Sequence, residues 1–335
     1  MTRRRRQDSG FRIQDSGRHG RRLPPERGRN ERPRSATVRF VLLAGGGLVL
    51  GAIALVAAWL LTARPAELPP RDRNVLLITI DTLRADAPGY AGGRAATPNL
   101  DRLAREGWRF DFAHAHSVVT LPSHASILTG LYPFAHGVRD NSGYRLREGT
   151  ATLATWLHGR GYATGAFVGA FPLDARFGLG AGFDTYDDRY PSAGRASELL
   201  MPERPADQVV EAATGWIRQQ AGRWFAWVHV FDPHAPYQAP PPFRQQHVAE
   251  PYAGEVAWVD HALGPLLDLA RSGSRPALVI VTADHGEALG AHGEATHGLF
   301  AYEETLRVPL IVAATDVRSG SGHFAWESGS KVSRP

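Results

Sequence analysis

From Phe40 to Leu61 the chain runs for 22 residues without a charge, FVLLAGGGLVLGAIALVAAWLL. At 1.5 Å per residue that is about 33 Å of helix, enough to cross a bilayer core, and it divides the chain into a head, a span and a body. The run is longer than the ~7 to 15 apolar residues of a signal-peptide core, so it predicts an uncleaved transmembrane helix. Seven Arg lie between positions 21 and 39 on one flank, against Arg64, Arg71 and Arg73 on the other. That asymmetry predicts a single-pass protein of the cell (inner) membrane with a cytoplasmic N-terminus and an extracytoplasmic body. Gly47 and Gly51 form a GxxxG pair that can pack two such helices into a weak dimer, though glycine is common in membrane helices anyway.

The head explains the basic balance of the whole chain. Residues 1–39 hold thirteen Arg against Asp8, Asp15, Glu26 and Glu31, a net of +9 in a chain whose total is +5, so residues 40–335 are mildly acidic. With one Phe, two QDSG copies and no apolar period, the head reads as a disordered cytoplasmic tail. Nucleic acid is therefore not an expected partner, because such proteins spread basic residues over a folded face. There is no cysteine, which excludes disulfides, thiolate zinc sites and a cysteine nucleophile.

After a Pro-containing linker, residues 62–73, apolar runs alternate with helical segments, the pattern of a mostly parallel sheet sandwiched by helices. The expected strands are Val75–Ile80, Ala163–Ala170, Trp224–Phe231, Ala277–Thr282 and Val308–Ala313. Thr97–Glu106 has a turn-then-helix form, and Tyr252, Val256, Val259, Leu263 and Leu266 recur at helical spacing as one core face. The first of these strands ends at Asp81 and the fourth in Ala283-Asp284-His285, so three oxygen and nitrogen donors fall at strand carboxyl ends, where open α/β sheets hold ligands. Together Asp81, Asp284 and His285 offer a divalent metal site, although a strand-end Asp alone is usually a cap. In TLPSH, Pro122 suits a first helical position, which leaves Thr120 just before a helix N-terminus able to bind anions.

The segments NVLLITIDTLRAD, TPNLDRLAREG, VTLPSHASILTGLYPFAHGVRDN, HVFDPHAPY and VTADHGE…THG…YEETLRVPLIV together resemble the sulfatase family of the alkaline phosphatase superfamily, over about Asn74 to Val312. The resemblance implies a catalytic domain over residues 74–315. It places Thr120 at the nucleophile position, where the family converts Cys or Ser to formylglycine; threonine is not a precursor of that group, so no formylglycine is expected. Phosphoryl-moving relatives use Thr both as nucleophile and as metal ligand, which implies Asp81, Thr120, Asp284 and His285 around Ca, Mn, Mg or Zn. His234 in DPHAP is implied as general acid for the leaving group. Asn141, His124 (the position of the motif's Arg) and His297 are implied as substrate-binding residues. Asp232, His234 and His297 are an alternative second metal site.

Other departures from the family pattern are Thr82 for a paired Asp, and Gly169-Ala170-Phe171-Pro172 where the family has G-K-x-H. A Thr ester lacks the second hydroxyl with which a formylglycine hydrate expels sulfate, so it must be opened by attack on phosphorus or sulfur, and phosphorus tolerates this better. The expected activity is thus hydrolysis of sulfate or phosphate esters, phosphate diesters favoured, on small-molecule, lipid or glycan substrates. Transfer of a phosphoryl headgroup to an envelope lipid or glycan is one alternative. An inactive membrane-tethered binding protein or truncated fragment is another. The Ser/Gly-rich stretch 316–335 predicts a disordered or aberrant tail and a missing C-terminal subdomain.

Overall fold

The computed structural model describes residues 72–190, 203–316 and 332–333. The expected tail, transmembrane run and Gly47/Gly51 pair lie outside the described residues, and among the described residues no helix is long and apolar enough to cross a membrane.

The strands are β1 (Asn74–Ile80), β2 (Trp108–Phe110), β3 (Ala113–His114), β4 (Ala163–Val168), β5 (Thr185–Asp187), β6 (Trp224–Val230), β7 (Ala277–Ala283), β8 (Arg307–Val308), β9 (Leu310–Ala314) and β10 (Val332–Ser333). The main sheet has the order β10-β2-β9-β7-β1-β6-β4-β5. Its centre is parallel, as the alternation of strands and helices requires: β1 lies between β7 and β6, and β4 between β6 and β5. The β9 side departs from this, with β9 antiparallel to β7 and β2 antiparallel to β9.

One expected strand, Val308–Ala313, is divided in two. Pro309 has no N–H to give a ladder, so Arg307–Val308 pairs with β3 in a separate two-stranded sheet while Leu310–Ala314 joins the main one. The short β2, β3 and β5 carry too few residues for a period-two signal. In the stretch 316–335, Val332–Ser333 pairs antiparallel with β2, and residues 317–331 lie outside the described residues.

Each buried strand feeds two cores through its alternation. Leu76, Ile78 and Ile80 of β1 pack with helices α1 (Pro98–Glu106), α3 (Ala206–Arg218) and α4 (Pro251–Ser272) on one face. Leu77 of β1 and Phe225 and Trp227 of β6 pack with Leu121, Ala125 and Leu128 of α2 (Thr120–Thr129) on the other. The core face expected on α4 is buried at all five positions. Helix α2 begins at Thr120 itself with Val119 as its N-cap, so Pro122 is the third helical residue and not the first. Thr79 and His229 continue the second set by period two, and they stand side by side in register.

Candidate active site

Ile80 of β1 and Ala283 of β7 are register partners, so the next residues, Asp81 and Asp284, leave the sheet beside each other although 203 positions separate them. Both are fully buried, as is His285. One ligand atom from each of Asp81, Asp284 and His285 lies within 4.8 Å of the others. Both carboxylate oxygens of Asp81, Oδ2 of Asp284 and Nε2 of His285 have no hydrogen-bond partner. Burial, then the negative neighbours Asp284 and Glu287, holds the Asp81 carboxyl well above its usual range, and burial raises Asp284 as well.

The tautomers sharpen this. His285 Nδ1 lies 3.0 Å from the Gly286 carbonyl, which can only accept, so Nδ1 carries the hydrogen and Nε2 a lone pair. That lone pair stands 3.5 Å from Asp284 Oδ2 and 3.9 Å from Asp81 Oδ1, and burial pushes the ring down to about 3. Electron-rich atoms facing one another in a dry site are costly unless a cation lies between them. Two carboxylates and an imidazole balance a divalent ion in charge and donor type, so these residues fit the metal that the family resemblance implies.

Beneath the trio lies a polar cluster inside the second core. His124 Nδ1 donates to the Thr120 carbonyl (2.8 Å), and its Nε2 lies 3.0 Å from Thr79 Oγ1. Trp227 Nε1 donates to the same hydroxyl (3.0 Å), and His229 Nδ1 lies 3.2 Å from it. A neutral His124 with its hydrogen on Nδ1 takes the Thr79 proton at Nε2, so His229 must donate from Nδ1. His229 Nε2 is then a lone pair, buried and without a hydrogen bond, 3.6 Å from Asp81 Oδ2. Sequence reading did not single out Thr79 or His229, since a His in WFAWVHV resembles a core residue.

Helix α2 is pinned to this end of the sheet. Ser123 Oγ donates to the Asp284 carbonyl (2.5 Å), and His124 Nδ1 lies 3.6 Å from Asp284 Oδ2. Thr120 is thus buried on a first turn fixed against the strand that carries Asp284. His124, expected at the substrate, is fully buried with both ring nitrogens engaged, which leaves neither for an ester oxygen. Asn141 accepts from the Leu121 N–H through Oδ1 (2.8 Å), acting as a cap supplied from another segment.

Thr82 carries a left-handed backbone, φ +53°, rare for a β-branched residue. Its N–H points to Asp284 Oδ1 (3.3 Å) and its carbonyl accepts from the Tyr252 hydroxyl (2.8 Å), so the contact over-determines the strained turn after Asp81. Its own hydroxyl is buried without a partner.

On the other flank, the His297 ring lies 4.4 Å from that of His285 and 5.1 Å from that of His234, and its Nδ1 lies 3.1 Å from Glu287 Oε1. His234 stacks on Phe231 at 4.3 Å and donates from Nδ1 to the Ala235 carbonyl (2.7 Å), which leaves a lone pair on Nε2. Burial and the neighbouring His297 lower its pKa. Asp232 does not join these rings in a second metal group: among the described residues only the Asp81, Asp284, His285 set converges, and Asp232 Oδ2 accepts from the Ala206 N–H at the start of α3.

A mostly parallel α/β sheet thus holds two buried carboxylates and an imidazole without hydrogen-bond partners at its strand ends, beside a pinned helix turn that begins with a threonine. The sulfatase family model matches residues 73–323, and the chain belongs to the sulfatase family. It is 25% identical over 310 residues to the uncharacterized sulfatase YidJ of Escherichia coli, covering 71% of this chain and 62% of that one. It is 27% identical over 297 residues to an ulvan-active sulfatase of Formosa agariphila, covering 72% and 56% respectively. The chain thus spans less than two thirds of the length of these relatives. Among solved structures, its fold is similar to the phosphonate monoester hydrolase of Agrobacterium radiobacter (TM-score 0.59, 22% identity, 72% of this chain and 68% of that one). It is likewise similar to the sulfatase yidJ of Bacteroides fragilis (TM-score 0.60, 22% identity, 75% and 70%).

Proposed function

We propose that this chain hydrolyses anionic esters with Thr120 as nucleophile, and that it prefers phosphate diesters to sulfate esters. The observation that carries the reading is the buried, partnerless set of Asp81, Asp284 and His285 beside the pinned first turn of α2. The relatives' names cover both sulfate and phosphonate esters, which is compatible with either centre. A divalent cation held by Asp81, Asp284 and His285 would lower the pKa of the nucleophile and neutralise ester oxygens.

The Thr120 hydroxyl gives its proton to solvent and its oxygen bonds to phosphorus, while the bond to the leaving alcohol breaks. His234 gives that alcohol oxygen a proton. The imidazole is neutral at neutral pH because burial lowers its pKa, and an anionic ester beside it favours the charged form and so restores the proton it donates. Water then bonds to phosphorus and gives a proton to His234, while the bond from phosphorus to the Thr120 oxygen breaks and that oxygen takes a proton back from solvent. Positioning falls to His124, Ser123 and Asn141, which hold the helix turn, and to Tyr252, which holds Thr82.

The test compares nitrophenyl phosphate, its diester and nitrophenyl sulfate with the full chain, with and without a chelator, beside Thr120→Ala. Chelation and Thr120→Ala should each lower kcat/KM by about a thousandfold or more, in the range of lost nucleophiles. Unchanged turnover in the Ala variant removes Thr120 from the mechanism, and a higher kcat/KM on the sulfate ester overturns the preference.

A further inference from the structure

His234 also lines an open cavity of about 410 Å³. Its walls carry His234, Phe231 and Trp258 together with the carboxylates of Glu203, Asp232 and Glu255. Glu255 is only 4% exposed, and its Oε2 is a buried oxygen without a hydrogen-bond partner. Asp232 accepts from the Trp258 side chain and from the Ala206 N–H.

Two guanidinium groups stand close by, Arg204 in the cavity wall and Arg244 near enough to act on Glu255, and each also has partners of its own. Arg204 lies 3.3 Å from Asp187 and donates to the Gln208 carbonyl, and Arg244 donates to the carbonyls of Ala239 and Gln238. Burial, then the neighbouring Asp232, pushes Glu255 up to about 8, and burial pushes Asp232 up to about 6.

A bare metal ion does not suit this place. Such an ion needs three donor atoms within reach of one centre, and among the described residues the three carboxylates do not converge as Asp81, Asp284 and His285 do. Carboxylates spread around a cavity of this volume, with an indole and a phenyl ring in the wall, suit an organic cation.

We propose that this cavity receives the alcohol half of the ester, and that this half carries a protonated amine seated between Glu255 and Asp232 against Trp258. The proposal rests on the reading of His234 as the group that faces the leaving oxygen, since His234 lines the cavity as well. An amino sugar and an ethanolamine headgroup share the required chemistry.

Calorimetric titration of the full chain with a chelator present tests this without turnover, so a failure of ester hydrolysis leaves the measurement intact. Glucosamine is titrated against glucose, and glycerophosphoethanolamine against glycerophosphoglycerol, which shares its phosphodiester. At least one amine should bind tenfold or more tightly than its neutral partner. Both Glu255→Gln and Asp232→Asn should cut that difference at least tenfold; the Asn side chain keeps an oxygen to accept from the Ala206 N–H, so this variant keeps the test valid if Glu255→Gln does not fold. Preference for glucosamine alone names a glycan source, and preference for the glycerophosphodiester alone a lipid one. Equal binding of amine and neutral partner, no binding of either amine, or amine preference untouched in folded variants overturns the proposal.

Discussion

His229 shows how a residue inside a core strand enters the chemistry of a site. Its Nδ1 hydrogen is fixed by Thr79, whose remaining capacity is taken by His124 and Trp227, and the ring therefore turns a lone pair toward Asp81. A lone pair facing a carboxylate is repulsive alone and favourable toward a cation held by that carboxylate. His229→Phe keeps the ring volume and removes both nitrogens. Metal affinity, measured by competition with a chelating dye, should fall by about tenfold, at the low end for groups that orient ligands. An unchanged affinity would separate His229 from the cation. Asp81, Asp284 and His285 were legible in the sequence because each ends an apolar run, and a strand end is a place a ligand reaches. Thr79 and His229 were not, because period two says which face a residue takes and nothing about the hydroxyl or indole waiting there. Glu255 was hidden for a similar reason: on α4 it sits among core positions, and only the fold reveals that its neighbours across the cavity are also acids.

Among the elements, α2 carries the most function for its length. It starts without a side-chain cap of its own, and Asn141 provides the missing acceptor to Leu121 from 20 positions away, while Ser123 and His124 bind the turn to Asp284 and Thr120. Asn141→Ala leaves the Leu121 N–H unpaired and should cost about 1 kcal/mol, the usual value of a lost N-cap. Because the cap sets the Thr120 turn, kcat should fall more than KM rises, and thermal melting with steady-state kinetics reads both. A rise in KM alone would instead make Asn141 a substrate contact, the role the family resemblance implied. The parallel centre of the sheet and the α4 face were readable from spacing. The split at Pro309 and the antiparallel β9 were not, because one apolar run looks the same whichever neighbour it pairs with.

At the scale of the whole molecule, buried acids set how stability changes with pH. Burial, reinforced by Asp232, pushes Glu255 up to about 8, whereas in the unfolded chain it titrates in the ordinary carboxylate range. Between those two values the folded protein holds a proton that the unfolded chain has lost, so stability falls as pH rises through this window. The contribution is fully present below the unfolded value and gone above about 8. Asp232 and Asp260, each pushed up to about 6 by burial, add the same sign over a narrower and more acidic interval. Glu255→Gln keeps the shape and removes the titration. Its melting temperature should therefore exceed that of the native chain at pH 8 and approach it near pH 5, with the remaining slope shared by the other buried carboxylates, Asp81, Asp284, Asp232 and Asp260 among them. Scanning calorimetry across that range decides the matter: a difference that stays constant with pH would mean that Glu255 is already neutralised in the folded protein. Adding the amine that binds the cavity should shrink the pH 8 difference by stabilising only the native chain, since a bound cation favours the charged carboxylate and lifts the cost that burial imposes.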